Sequence, residues 1–274
     1  MAADDRHVAD IVRQGDPDRH ISVLYAPEDR RPALFALYAF DIEVARVRDL
    51  VREPLPGEIR LQWWRDAIAA AAPTGHPVAD ALNDAIERWS WPRAAFERLL
   101  EARIFDLYDD PMPDRATLEG YCGETNSTMV QLAALALDGD AAISHAATAG
   151  HAGCAQAIAG LLRALPAHRA RGQCYVPGDV LAAAGTNRDA FVSGSDEEAA
   201  KRAVAAMIAL GCEHAEAFER GARALPAALR PAFLPAALAR ARLDRIAAAP
   251  LVGGHGLSVI RRHWTMLRRA TRGW

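Results

Sequence analysis

Lysine is all but missing from this 274-residue chain: Lys201 is the only one, and the other basic residues are arginines. Together with the many alanines, that bias reads as a GC-rich coding sequence and says little about function. Cysteine is scarce as well. Cys122, Cys154, Cys174 and Cys212 lie far apart with no Cys-x-x-Cys, which argues against a disulfide framework and fits reduced thiols. No apolar run approaches the roughly 18 residues of a membrane span. The opening Met-Ala-Ala-Asp-Asp-Arg-His is acidic and predicts neither a signal peptide nor a transit peptide. The expected location is cytoplasmic, with a peripheral position on the inner membrane left open by the C-terminal segment. A net charge of −3 makes no case for a nucleic-acid partner. Alternating strand patterns and hairpin dipeptides are also scarce, so a β-rich fold is not expected.

What is present is helical periodicity. The pattern predicts helices near 4–14, 32–52, 56–72, 77–90, 93–107, 115–137, 142–164, 195–220, 226–247 and 256–271, punctuated by prolines. The clearest, over 32–52, opens with Pro32 in its first turn. Its Leu34, Phe35, Leu37, Tyr38, Ile42, Val44 and Val47 cover more than one stripe, so it is predicted to be buried. The longest irregular stretch runs from 166 to 195. With no fixed-period repeat and no linker, one all-α domain over 1–274 is the expected organisation.

The third deficit is of carboxylates in two places. The first is Leu37-Tyr38-Ala39-Phe40-Asp41 running through Glu43, Ala45 and Arg46 to Asp49; the second is Gly160-Leu-Leu-Arg163-Ala164-Leu-Pro166-Ala167-His168, leading into Gly172-Gln-Cys-Tyr175-Val-Pro177. Phe35-Ala-Leu-Tyr-Ala-Phe40, Trp63-Trp64-Arg65-Asp66 and Gly-Gln-Cys-Tyr-Val-Pro before Asp179, in that order and spacing, resemble the squalene/phytoene synthase family from about residue 19 to the C-terminus. The resemblance implies an all-α isoprenoid synthase bundle around a central cavity. Active members of that family condense two prenyl diphosphates. The leaving diphosphate is neutralised by Mg²⁺ held on carboxylates, and aspartates at i and i+4 share one helix face for that purpose.

On this sequence the first motif's leading aspartates fall on Ala45 and Arg46, and Asp49 survives; the second motif's fall on Ala164, Ala167 and His168, and none survives. An arginine at position 46 would repel Mg²⁺. Asp41 and Asp49 lie two i+4 steps apart, roughly 12 Å along a helix axis, too far to share an ion whose ligands sit about 2.1 Å away. The reading therefore expects no metal and no cofactor, Mg²⁺ entering only if the alternative below holds. The surviving Asp49 is expected to pair with Arg46, Arg48 or Arg52.

Tyr-Ala-Phe-Asp-Ile-Glu-Val-Ala-Arg-Val-Arg-Asp49, Gln62-Trp-Trp64, Ala155-Gln156 and Leu162-Arg163-Ala164-Leu-Pro166-Ala-His168 resemble a catalytically degenerate branch of the family, the mitochondrial respiratory complex I assembly factors. That resemblance implies a binding role toward a respiratory-complex subunit, with a lipid or isoprenoid as a further partner. The alternative is an active prenyltransferase with an altered site. The remnant positions Ala45, Arg46, Asp49, Arg163, Ala164 and His168 are expected around the old cavity. Arg163 and His168 either bind an anion or satisfy carbonyls freed by Pro166. His151 and Cys154 have a metal-compatible i, i+3 spacing without an evident third ligand, and Ser127 and Thr128 read as packing residues. In the last predicted helix, Arg261, Arg262, Trp264, Arg268 and Arg269 either dock on an anionic membrane or a partner's acidic face, or cap the bundle with arginines suited to a helix C-terminus.

Overall fold

A computed structural model of the chain describes residues 3–108, 110–254 and 256–274, with side chains from Asp5 onward. Among the described residues there are helices and no strands. Helices α1 (Ala3–Gly15), α2 (Pro17–Leu24), α3 (Arg31–Ala45), the single turn α4 (Val47–Leu50), α5 (Pro54–Ala70), α6 (Pro77–Trp89) and α7 (Arg93–Ile104) form the first half. Next, α8 (Arg115–Cys122) passes through a π-turn, Gly123–Ser127, into α9 (Thr128–Leu137), followed by α10 (Gly139–Ser144) and α11 (Ala146–Arg163). Short α12 (Leu165–Ala170), α13 (Gly178–Ala183) and α14 (Arg188–Ser193) precede the long α15 (Glu197–Ala222). The chain then runs through α16 (Arg230–Phe233), a 3₁₀ stretch at Leu234–Leu238, α17 (Ala239–Ala248) and α18 (Val259–Arg272).

Burial places α3 at the centre, as its all-round apolar pattern predicts. Eleven of its fifteen residues are buried, and it packs on α1, α6 and α9. Phe40 meets Trp64 edge-on at 5.2 Å and Phe96 at 5.6 Å between ring centroids. A second core lies between α11 and α15, where small residues let backbones approach. A Cβ on Gly153 would fall 2.3 Å from the Ser127 backbone, so α11 can lie against the π-turn only with glycine there.

Four expectations from periodicity change. The helix over 32–52 stops at Ala45, and the turn at Arg46 keeps Val47 in the core while leaving Asp49 exposed. The stretch from 166 to 195 contains α12, α13 and α14, started by local devices: Pro166 sits in the first turn of α12, where its missing N–H is not needed, and the Asn187 side chain accepts from Ala190 N at 2.9 Å to start α14. An additional helix, α2, is nucleated where only a break at Pro17 was expected. The Asp16 carboxylate accepts from Asp18 N and Arg19 N at 3.2 and 3.0 Å, just ahead of that proline. The helix over 226–247 is divided, with Pro231 and Pro235 starting short turns rather than interrupting one long helix.

The last helix is held by one side only. Met266 is buried among Ile21, Leu234, Leu238 and Leu257, and Trp274 meets Phe218 edge-on at 5.4 Å. Among the described residues no helix is long and apolar enough to cross a membrane.

Candidate functional site

A cavity of about 310 Å³ opens where α2, α3, α7, α11, α12 and α17 converge with the π-turn. Ala45 at the end of α3, Arg163 and Ala164 at the end of α11, and His168 on α12 all line it. The two altered motifs therefore face one space, although they stand more than a hundred residues apart.

The lining is dominated by arginine. Asp41, one turn before Ala45, is buried and accepts hydrogen bonds from Arg19 of α2 and, at 3.1 Å, from Arg103 of α7. Burial alone would raise the Asp41 carboxyl, but the Arg19 and Arg103 guanidiniums outweigh it and hold it below the usual carboxylate range. Arg103 continues the chain of contacts, donating to Asp106 at 3.2 Å and to the Tyr121 hydroxyl at 3.0 Å. The Tyr121 and Tyr175 hydroxyls donate to Asp106 at 2.9 and 2.7 Å. Burial, reinforced by the Asp106 charge, pushes both phenols well above their ordinary range, so they act as donors and remain protonated. This buried Arg–Asp–Tyr network was not found from sequence. Asp106 and Arg103 have no motif around them, whereas Asp41 and Tyr175 stood in the two recognisable stretches.

The π-turn also serves the site. Tyr121 and Asn126, five residues apart, both line the cavity. On a regular α-helix that separation rotates side chains by about 140°; the wider turn at Gly123–Ser127 brings the pair onto one face.

The other predicted positions are distributed differently. Arg46 is exposed and lies outside the lining, because α3 ends immediately before it. Asp49 is also exposed. Its partner is Arg171, which follows α12, and none of the nearby Arg46, Arg48 or Arg52. An ion pair thus joins the stretches carrying the two motifs. His168 stacks tilted on Tyr175 at 4.7 Å. Burial, with Arg171 nearby, pushes its imidazole down to about 4, so it faces the cavity neutral. Arg163 is exposed toward the cavity mouth, and no carboxylate among the described residues pairs with it.

Magnesium is the ion this fold family implies, and the donor set does not fit it. Asp41 already has a guanidinium on each oxygen, Asp49 does not line the cavity, and Asp16 is occupied as the α2 cap and by Arg19 at 3.6 Å. A divalent ion would have to displace buried arginines to reach any carboxylate. Among the described residues no group of three or more His, Cys, Asp and Glu is placed to hold a metal. His151 contacts His214 at 3.0 Å between Nδ1 atoms, and His214 Nε2 reaches Glu119 at 2.9 Å; Cys154 lies 3.8 Å from the Ser127 hydroxyl. Ser127 itself donates to Gly150 O at 2.8 Å, a packing contact with no base beside it. A wider groove of about 750 Å³, between α1, α3 and α6, is lined by none of Ala45, Arg46, Asp49, Arg163, Ala164 and His168.

The chain is 30% identical, over 84% of its own length and 70% of the other's, to a Bos taurus protein named NADH dehydrogenase (ubiquinone) complex I, assembly factor 6. It is 31% identical to the bifunctional protein CrtB/UppS of Streptomyces coelicolor, over 67% of this chain and a third of that longer one. Its fold superposes on a dehydrosqualene synthase solved with a ligand, with a TM-score of 0.82 at 15% identity, covering 97% of this chain and 94% of the other; the architecture is that of the isoprenoid synthase bundle. The squalene/phytoene synthase profile matches residues 12–268, and the chain belongs to that family.

Proposed function

We propose that this protein works by binding, in the assembly of respiratory complex I, and that it has given up metal-dependent condensation of prenyl diphosphates. One observation carries the reading: the only motif-region carboxylate in the cavity, Asp41, is neutralised by Arg19 and Arg103. A diphosphate needs cations brought by carboxylates, and here the carboxylate's capacity is already taken by fixed cations. The cavity, about 310 Å³, is lined at one side by Arg163 and has room for a polar head group. The relatives named as complex I assembly factors, similar over most of the chain, supply the process, with a protein subunit as the partner. A lipid or isoprenoid head group is the small ligand the cavity suits, with the unpaired Arg163 as its anion contact.

The rival reading, a prenyltransferase with an altered site, is favoured by the likeness to CrtB/UppS. One pair of measurements separates the two. Deleting the gene is expected to lower NADH:ubiquinone oxidoreductase activity in membranes while isoprenoid pools stay constant, and the purified protein with Mg²⁺ and farnesyl diphosphate is expected to release no pyrophosphate. Magnesium-dependent release, or normal complex I activity in the deletion strain, overturns the proposal.

A further inference from the structure

Helix α18 carries five arginines and no acidic residue, in a chain whose net charge is −3. Its apolar residues are divided between two environments. Met266 turns inward and is fully buried, while Ile260 is 83% exposed, Trp264 67% and Leu267 43%. At about 100° per residue these three fall within one narrow arc, and Arg268 and Arg261 begin the next arc beside Trp264. The arginines are divided in the same way. Arg262 pairs with Asp18 at 3.1 Å, and Arg269 lies over the Trp274 ring at 5.8 Å. Among the described residues Arg261, Arg268 and Arg272 have no carboxylate partner.

A helix needed only to cap the bundle would bury its apolar arc and leave polar residues outside. This one leaves tryptophan, isoleucine and leucine in solvent, with unpaired guanidiniums along their edge. We infer that the outer face of α18, built from Ile260, Trp264 and Leu267 with Arg261, Arg268 and Arg272, is a peripheral docking surface for an anionic lipid bilayer. The aliphatic side chains enter the acyl boundary, the indole sits at the head-group level where its N–H stays wet, and the arginine stems lie along the interface with their charges on phosphates. The absence of any acid on the helix favours a phosphate-bearing lipid surface over the mixed charge of a protein face. The inference does not depend on whether the cavity is catalytic.

The test is co-sedimentation of the full chain with large vesicles of phosphatidylcholine alone and of phosphatidylcholine mixed with phosphatidylglycerol. Binding is expected only to the mixed vesicles and is expected to weaken with salt. The double variant Arg261→Gln/Arg268→Gln is expected to lose about tenfold or more in partitioning, and Trp264→Ala is expected to lose binding with an unchanged thermal midpoint, since its side chain contacts mostly solvent. The inference is overturned by equal binding to both vesicle types, by no binding, or by variants that bind like the wild type. It is equally overturned if these substitutions dissociate a dimer in sedimentation velocity, which would place a second copy on α18, seated for instance in the groove lined by Asp10, Glu28, Asp29 and Asp84.

Discussion

The cavity and the outer face of α18 treat arginine in opposite ways. Inside, Arg19 is buried and Arg103 largely so, and each has its charge answered by Asp41, with Asp16 and Asp106 at the two ends of the network. Outside, three arginines of α18 have no acidic partner among the described residues and stand beside exposed apolar side chains. A buried guanidinium without a counter-charge is costly, so interior arginines had to bring carboxylates with them or take over those already present. Solvent screens the exterior ones, which remain available to an outside anion. Asp41 with Arg19 and Arg103 forms a self-neutralised brace inside the fold, whereas among the described residues the arginines of α18 without an acidic partner lie on the surface.

That contrast can be broken by mutation, and the largest effect is expected in the brace. Asp41→Ala leaves two buried guanidiniums facing each other and is expected to cost about 3–5 kcal/mol of stability in urea unfolding; a cost below about 1 kcal/mol would mean that water reaches the pair. Next in size is Gly153→Ala, whose new methyl meets the Ser127 backbone. It is expected to destabilise by about 1–3 kcal/mol and to disturb the Tyr121–Asn126 face of the cavity, visible in chemical shifts.

Protonation sharpens the comparison on the same ground. His168 is held at about 4 against an ordinary value of 6.5, so the unfolded chain binds the extra proton first. Its contribution to stability is complete above pH 6.5 and is lost as pH falls toward about 4. Thermal midpoints measured across that window are expected to fall for the wild type and to fall less for His168→Gln; identical slopes would place the imidazole in solvent. Asp41 acts in the same direction at lower pH. Its depressed value stabilises the fold above the ordinary carboxylate range, and that stability disappears as pH falls through the folded value. The smallest effect is expected on the surface, where Arg268→Ala is expected to change stability by no more than about 0.5 kcal/mol while still altering vesicle partitioning.

Much of this was readable from residue order. The all-round apolar pattern of residues 34–44 needed no structure to mark a buried central helix, because burial on several sides leaves no polar stripe. That Ala45 and Ala164 carry no carboxylate was equally plain, since the residue at a position is a fact of sequence. Short elements were not legible. Helix α2 depends on one Asp16 side chain reaching two amides, and α12, α13 and α14 are too brief to show a period. Arg46 was misplaced because the helix end at Ala45 carries no proline or glycine. The partner of Asp49 was misassigned because local arginines were the only candidates a sequence offers.

Sequence alone determined which charges this protein has, and hence how few carboxylates its two motif regions carry. Only the tertiary structure decided how the remaining charges are spent: Asp41 on Arg19 and Arg103, Asp49 on Arg171 across the fold, and, among the described residues, none on the outer arginines of α18. The reason is physical. Charge is a property of single residues, whereas neutralisation falls off with distance and rises with burial, and both are set by which helices the folded chain brings together.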